Sequence, residues 1–127
     1  MKPLTREWVD KAEGDFLVAQ KIYRARKNPV YDAVCFHAQQ CAEKYMKAFL
    51  QENAQPIPRT HALMDLLKLC QDINSGLAIL ASDLQELSYY AVNIRYPGES
   101  ADKEDAKRAF SAVKVVRELF RQKIGVE

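Results

Sequence analysis

Residues 32–50 have the sequence DAVCFHAQQCAEKYMKAFL, which contains neither proline nor glycine. At about 100° per residue, the helical period places most of its apolar side chains in one stripe. A second apolar set lies on the opposite side. The stripe consists of Val34, Ala38, Cys41, Tyr45, Ala48 and Phe49, and the opposite set of Cys35, Phe36, Met46 and Leu50. Because a helix that is apolar on two sides is usually buried on two sides, the stretch predicts either the central helix of a bundle or a helix whose outer face meets a second copy of the chain.

Proline and glycine divide the sequence on either side of this stretch into further helical segments. Strand-like alternation of useful length is absent from the sequence. The first predicted helix covers about 5–27 with Thr5 as N-cap, and the second about 30–53 with Asn28 as cap and Pro29 in the first turn. The third covers about 60–72 with Thr60 as cap. The fourth runs from Ser82 to the residues before Pro97, and Asp102 caps the last. Long helices with short connections normally pack antiparallel as neighbours. The sequence therefore predicts an all-α, up-and-down bundle of four to five helices, with residues 1–127 forming a single domain.

The flanking segments have apolar stripes of their own, which define the predicted core. The inward residues are Trp8, Ala12, Phe16, Ala19, Ile22 and Tyr23 in the first segment, Leu84, Leu87 and Ala91 in the fourth, and Ala106, Ala109, Phe110, Val113, Val116, Phe120 and Ile124 in the last.

The composition of the chain is close to that of ordinary globular proteins. Hydrophobic residues make up 48% and charged residues 28%, and the formal charge of +2 is too small to indicate nucleic-acid binding by itself. No apolar run approaches the roughly 20 residues of a membrane helix, and the first residues lack the apolar stretch of a signal peptide. The three cysteines have no C-x-x-C spacing, which is typical of reduced core thiols. We therefore expect a cytoplasmic protein that does not enter a membrane.

Several titratable residues fall on or beside the inward stripes, where a charge is costly unless it has a partner. They are Asp15, His37, Lys44 and Arg95, which come from three different helices. One interpretation is a structural ion pair that fixes the register of neighbouring helices. The other is a partly open pocket that binds an anionic group such as a phosphate. His61, near the start of the third helix, either touches an anion there or ties down the proline-rich loop.

Most catalytic and metal chemistry is not supported by the motifs. A di-iron bundle site requires Glu-x-x-His pairs, but Val34 stands three residues before His37 and Pro58 three residues before His61. Two histidines without a close cysteine partner do not indicate a transition-metal site. A phosphate-cradling glycine-rich loop and a G-x-S-x-G elbow are also absent from the sequence. We therefore expect no metal and no cofactor.

Four short strings are spread along the chain. They are the Ala-Gln-Gln-x-Ala-Glu-Lys run of residues 38–44, Ala12-Glu13-Gly14-Asp15-Phe16, Thr60-His61-Ala62-Leu63 after the proline-rich loop, and Ile94-Arg95-Tyr96-Pro97. Through these strings the chain resembles the HEPN family of small helical proteins. The resemblance implies a four- or five-helix bundle that usually forms a homodimer. It also implies a partnership with a minimal nucleotidyltransferase in a toxin–antitoxin pair.

Many HEPN members are metal-independent ribonucleases with an Arg-x(4–6)-His motif at the end of the fourth helix. Arg95 stands where the family's arginine belongs, but Ser100, Ala101 and Asp102 occupy the positions that would hold the histidine. Without that imidazole, no group that titrates near neutral pH is available there for the 2′-hydroxyl proton of RNA. The resemblance therefore implies a branch that lacks the ribonuclease motif.

Three hypotheses follow from the sequence. In the first, the chain is a homodimeric binding protein that works with a nucleotidyltransferase and binds a nucleotide or an RNA phosphate around Asp15, His37, Lys44 and Arg95. In the second, it is a ribonuclease in which His37 or His61 replaces the missing base. In the third, the dimer is a scaffold without a ligand.

Overall fold

The computed structural model describes residues 1–94 and 96–126, apart from the side chain of Val92, and this part of the chain is helical without strands. The helices are α1 (Pro3–Tyr23), α2 (Tyr31–Glu52), α3 (Leu63–Ile73), α4 (Ala81–Asn93) and α5 (Lys103–Ile124). A short 3₁₀ helix, Ser75–Leu80, joins α3 to α4. The predicted all-α bundle is confirmed.

Helix α2 is the central helix of the bundle. It packs against α1, α3, α4 and α5. Its two apolar sets are therefore buried within one chain: the six stripe residues are buried, and so are Cys35, Met46 and Leu50 of the opposite set. The exception is Phe36, which is 52% exposed. The two-sided pattern thus needs no second subunit to explain it.

The predicted inner faces of the other helices are confirmed with small differences. All seven stripe residues of α5 are buried, as are Leu84 and Leu87 of α4. On α1 the stripe centres on Val9, Ala12, Phe16 and Ala19, while Trp8 is only partly buried. Aromatic rings join α1 to α5, since Phe110 stacks on Phe16 at 5.5 Å and on Tyr23 at 5.1 Å between ring centroids.

The predicted N-cap of α5 is confirmed, but the N-caps predicted for the other helices are wrong. Asp102 caps α5 in a capping box with Asp105, in which each side chain accepts from the other residue's backbone N–H. Helix α1 begins earlier, at Pro3, because a proline at the first helical position has no N–H to satisfy and a φ suited to a helix. Thr5 is therefore buried inside α1 instead of capping it.

The connections differ from the prediction for local reasons. Asn28 adopts a φ of 48° and Pro29 precedes α2, whose N-cap is Val30. The Thr60 hydroxyl accepts a hydrogen bond from the Ala62 N–H at 3.1 Å, so it shapes a turn before α3 begins. Ser82 lies inside the first turn of α4, since the 3₁₀ helix runs directly into α4.

Within the described residues, every helix is too short or too polar to span a bilayer.

Candidate functional site

Three of the four predicted site residues meet at the seam between α1 and α2. The Asp15 carboxylate of α1 accepts hydrogen bonds from His37 Nδ1 at 2.8 Å and from Lys44 Nζ at 2.6 Å. His37 and Lys44 can reach the same carboxylate because residues seven positions apart lie on one edge of a helix. Arg95, the fourth predicted residue, lies outside the described residues.

This cluster combines a nearly buried acid with two partly exposed bases. The side chain of Asp15 is 11% exposed, whereas those of His37 and Lys44 are 28% and 24% exposed. An ionised carboxylate only accepts hydrogen bonds, so Nδ1 of His37 carries the hydrogen. The Nε2 atom, on the opposite edge of the imidazole, has no hydrogen-bond partner among residues 1–94 and 96–126. The exposed ring of Phe36 packs edge-on against the imidazole, with centroids 5.2 Å apart.

A second carboxylate of α2, Glu43, lies beneath the loop that precedes α3. Its side chain is 4% exposed and accepts hydrogen bonds from His61 Nδ1 at 3.0 Å and from Lys47 Nζ at 3.1 Å. The amide of Gln39 donates to Glu43 at 3.4 Å and to the His61 carbonyl at 3.3 Å, while Gln40 donates to Gln39 at 2.8 Å. These contacts fix the loop on α2, as one of the two interpretations of His61 predicts.

A third polar cluster lies at the junction of α1, α2 and α5, and the sequence did not predict it. Arg117 donates two hydrogen bonds of 2.7 Å to the Glu13 carboxylate, and the buried Tyr45 hydroxyl also donates to Glu13. Arg121 Nη1 contacts the Tyr45 hydroxyl at 3.3 Å and Glu13 at 3.4 Å. The guanidinium of Arg117 also stacks on the Phe16 ring at 4.3 Å.

Opposing effects act on the pKa of Glu13. Partial burial by itself raises this pKa, but the hydrogen bonds from Arg117 and Tyr45 and the charges of Arg117 and Arg121 outweigh burial, so the pKa is lowered. Burial and the hydrogen bond to Glu13 together raise the pKa of Tyr45. The cluster therefore holds a charged carboxylate and a neutral phenol at neutral pH, which suits a structural role.

The loop after α4 contains structural contacts where the ribonuclease motif would need a histidine. The Ala101 N–H donates a 2.6 Å hydrogen bond to the Asp32 carboxylate in the first turn of α2. Asp102 forms the N-cap of α5. These positions thus anchor the loop to α2 and start α5.

The cysteines are core thiols, as predicted, and not nucleophiles. Cys35, Cys41 and Cys70 are free and buried. Burial raises the pKa of Cys35 and of Cys70 to about 12, so both remain thiols at neutral pH. Within the part of the chain that the structure describes, no group of His, Cys, Asp and Glu side chains is arranged to hold a metal ion.

Comparison with known proteins agrees with this architecture. Among solved structures, the crystal structure of TT1696 from Thermus thermophilus superposes with a TM-score of 0.75 at 23% identity, over 94% of this chain and 97% of that one. The crystal structure of ST0689, an archaeal HEPN homologue, superposes with a TM-score of 0.75 at 22% identity, over 98% of this chain and 99% of that one. No curated protein matches the sequence. The family model for the HEPN domain matches residues 5–123, and the chain therefore belongs to the HEPN domain family.

Proposed function

We propose that this HEPN chain is a binding and interaction protein whose Asp15–His37–Lys44 cluster binds a phosphate group of a nucleotide or of RNA. The observation that carries the proposal is the convergence of two partly exposed bases on one nearly buried carboxylate. By resemblance to the family, we further propose that the chain forms a homodimer and acts with a minimal nucleotidyltransferase in a toxin–antitoxin-like module.

Asp15 acts in this proposal as a positioning residue. A lysine ammonium has three donors, and Lys44 uses one of them on Asp15. His37 is held through Nδ1 and directs Nε2 away from the carboxylate. The remaining ammonium hydrogens of Lys44 can donate to an anion. A charge-assisted hydrogen bond to a phosphate is among the stronger polar contacts in proteins.

The loop between α4 and α5 supports phosphate binding and not RNA cleavage. Ala101 and Asp102 stand at positions where the ribonuclease motif has its histidine, and both are engaged in hydrogen bonds that fix the loop. Holding a phosphate requires donors, whereas cleaving RNA also requires a base near the 2′-hydroxyl.

Calorimetric titration with ATP, GTP and dinucleotides tests the phosphate site. Lys44→Met keeps the aliphatic stem of the side chain but removes its charge, and should weaken binding about ten-fold or more. Arg95→Ala in the same titration tests whether that side chain contributes. Lys68→Met, an exposed position on α3, is the matched control and should bind like the wild type. If none of these ligands binds, Asp15, His37 and Lys44 form a structural ion cluster, and the scaffold hypothesis is favoured.

A second candidate function, a ribonuclease with a substitute base, is favoured by the Asp15–His37 pair alone. A carboxylate on Nδ1 and an unpartnered Nε2 are the arrangement that general bases use. Incubation with single-stranded RNA in EDTA separates it from the binding proposal. RNA cleavage by the wild type that is lost in His37→Gln and in Arg95→Ala would support the ribonuclease hypothesis. If the wild type leaves the RNA intact, the hypothesis is wrong.

The partnership with a nucleotidyltransferase is tested by co-expression with a neighbouring gene product of that type. Co-elution at micromolar concentration supports the partnership, and separate elution contradicts it.

A further inference from the structure

A groove lies on the side of the bundle formed by α5 and α4, apart from the Asp15–His37–Lys44 cluster. It has a volume of about 590 Å³. Val115 and Leu119 of α5 line it together with Phe16 of α1 and with Ile79 and Leu80 of the 3₁₀ helix. The apolar lining reaches solvent, since Ile79 is 77% exposed and Val115 is 50% exposed. Apolar surface of this kind, rimmed by polar residues, is typical of an interaction site.

The basic residues of the groove are already in contact with other groups. Arg117 is bound to Glu13 through two hydrogen bonds and stacks on Phe16. The ammonium of Lys114 lies over the Phe110 ring, at 5.7 Å from its centroid. Arg117 is therefore already paired with a carboxylate, whereas Lys114 is exposed and keeps its charge.

The acidic residues of the groove are available. Asp83 and Glu118 both line it. Neither carboxylate forms a hydrogen bond or an ion pair with any residue of ranges 1–94 and 96–126. Partial burial raises the pKa of Asp83, because it disfavours the charged carboxylate. A cation placed there would relieve that cost.

The groove continues along α4 and α5 into a second cavity of about 490 Å³, which shares Asp83 and Val115. Its lining on α5 begins at Glu104, and the first groove extends to Gln122. A helical segment of about 18 residues rises roughly 27 Å, which sets the length of an occupant lying parallel to α5. In the second cavity Arg108 is paired with Glu86 and Asp105. Glu104 and Lys107 also line the second cavity.

From these observations we propose that the groove between α5 and α4 binds a basic amphipathic helix of a partner protein. Apolar side chains of the partner helix pack on Ile79, Val115 and Leu119, and its lysines or arginines pair with Asp83 and Glu118. The formal charge of the whole chain is +2, so the attraction for a cationic helix is local to the groove. This site is independent of the phosphate site, and either can fail without the other.

The test uses an 18-residue helical peptide with leucines on one face and lysines on the other, titrated into the full chain by fluorescence anisotropy. The wild type should bind it, and the affinity should fall with salt. Asp83→Asn combined with Glu118→Gln should weaken binding about three- to ten-fold and reduce the salt dependence. Val115→Ser should weaken it about five-fold.

Matched controls exist in the same chain. Asp65→Asn removes a carboxylate from the same position of the first turn of α3 that Asp83 holds in α4, and Val30→Ser alters a valine that is 57% exposed before α2. Both should bind like the wild type, and a peptide with glutamates in place of the lysines should not bind. Equal binding by the groove and control variants would overturn the proposal. Loss of self-association in Val115→Ser, measured by sedimentation, would also overturn the proposal. The groove would then be an interface between copies of this chain.

Discussion

At the scale of single residues, Glu13 connects three helices of the bundle. It projects from α1 and accepts hydrogen bonds from Tyr45 of α2 and Arg117 of α5, with Arg121 at 3.4 Å. The Glu13 side chain is 27% exposed, so water screens part of its charge and the cluster contributes less than a fully buried one. The carboxylate nevertheless satisfies a buried hydroxyl and orders two long arginine side chains.

Replacing Glu13 by glutamine should destabilise the fold at neutral pH by about 1 to 3 kcal/mol, because two guanidinium groups lose their charged acceptor. A lowered carboxylate pKa contributes stability above the unfolded value of 4.5, and this contribution is lost as the pH falls through the folded-state pKa. The free-energy difference between the wild type and Glu13→Gln should therefore be constant near pH 7 and shrink below about pH 4.5. Urea unfolding monitored by circular dichroism over this pH range measures it.

Glu7→Gln is the matched control, since Glu7 is an exposed glutamate of the same helix. Its free energy of unfolding should stay within about 0.5 kcal/mol of the wild type at every pH. A Glu13→Gln difference that persists unchanged at pH 3 would show that packing, and not the charge of Glu13, is responsible.

Residue positions on helix faces predicted one polar cluster and missed two. Asp15, His37 and Lys44 fall on or beside their apolar stripes, so helical angles predicted that they could share a polar pocket with Arg95. Glu43 lies on the far side of α2 from Cys41, and only the loop carrying His61 buries it. Glu13 becomes a shared acceptor only once α5 places Arg117 beside it. Contacts between distant segments of the chain leave no local periodic signal.

At the scale of elements, α2 shows why a strong pattern is informative. It contains no helix breaker, and it packs against α1, α3, α4 and α5. The sequence predicted a central helix as one of two alternatives. The structure supports the central-helix alternative, because the surrounding helices of the same chain cover both sets apart from Phe36.

Helix ends were harder to predict than helices, because several polar residues compete for each cap. Asp102 was predicted correctly because Asp105 completes its capping box. Thr60 and Asn28 have side chains suited to capping but shape turns instead. The 3₁₀ helix was missed, since its start depends on the Asn74 side chain accepting from the Gly76 N–H at 3.0 Å. Short 3₁₀ segments have no apolar period by which to recognise them.

At the scale of the whole molecule, the two proposed binding sites use different parts of the bundle. The phosphate site lies at the seam of α1 and α2, and the groove lies on α5 and α4. Glu13 and Asp15 are two residues apart on α1, and a helix directs residues at this spacing to different flanks. The two proposed sites are therefore separated by α1. One flank meets α5 through Arg117, and the other meets the edge of α2 that carries His37 and Lys44. A phosphate ligand and a protein partner could thus be bound together.

The oligomeric state is a property of the same scale, and we expect a homodimer whose interface includes Phe36. This residue is 52% exposed on a helix that is otherwise largely buried, and its ring packs on His37, so an interface here would adjoin the phosphate site. Phe36→Asp places a charge in the interface and should convert the dimer to a monomer in sedimentation equilibrium at micromolar concentration. Leu17→Asp, at a residue of α1 that is also 52% exposed, should leave the dimer intact. A monomeric wild type would refute the dimer, whereas dissociation by Leu17→Asp but not by Phe36→Asp would place the interface elsewhere.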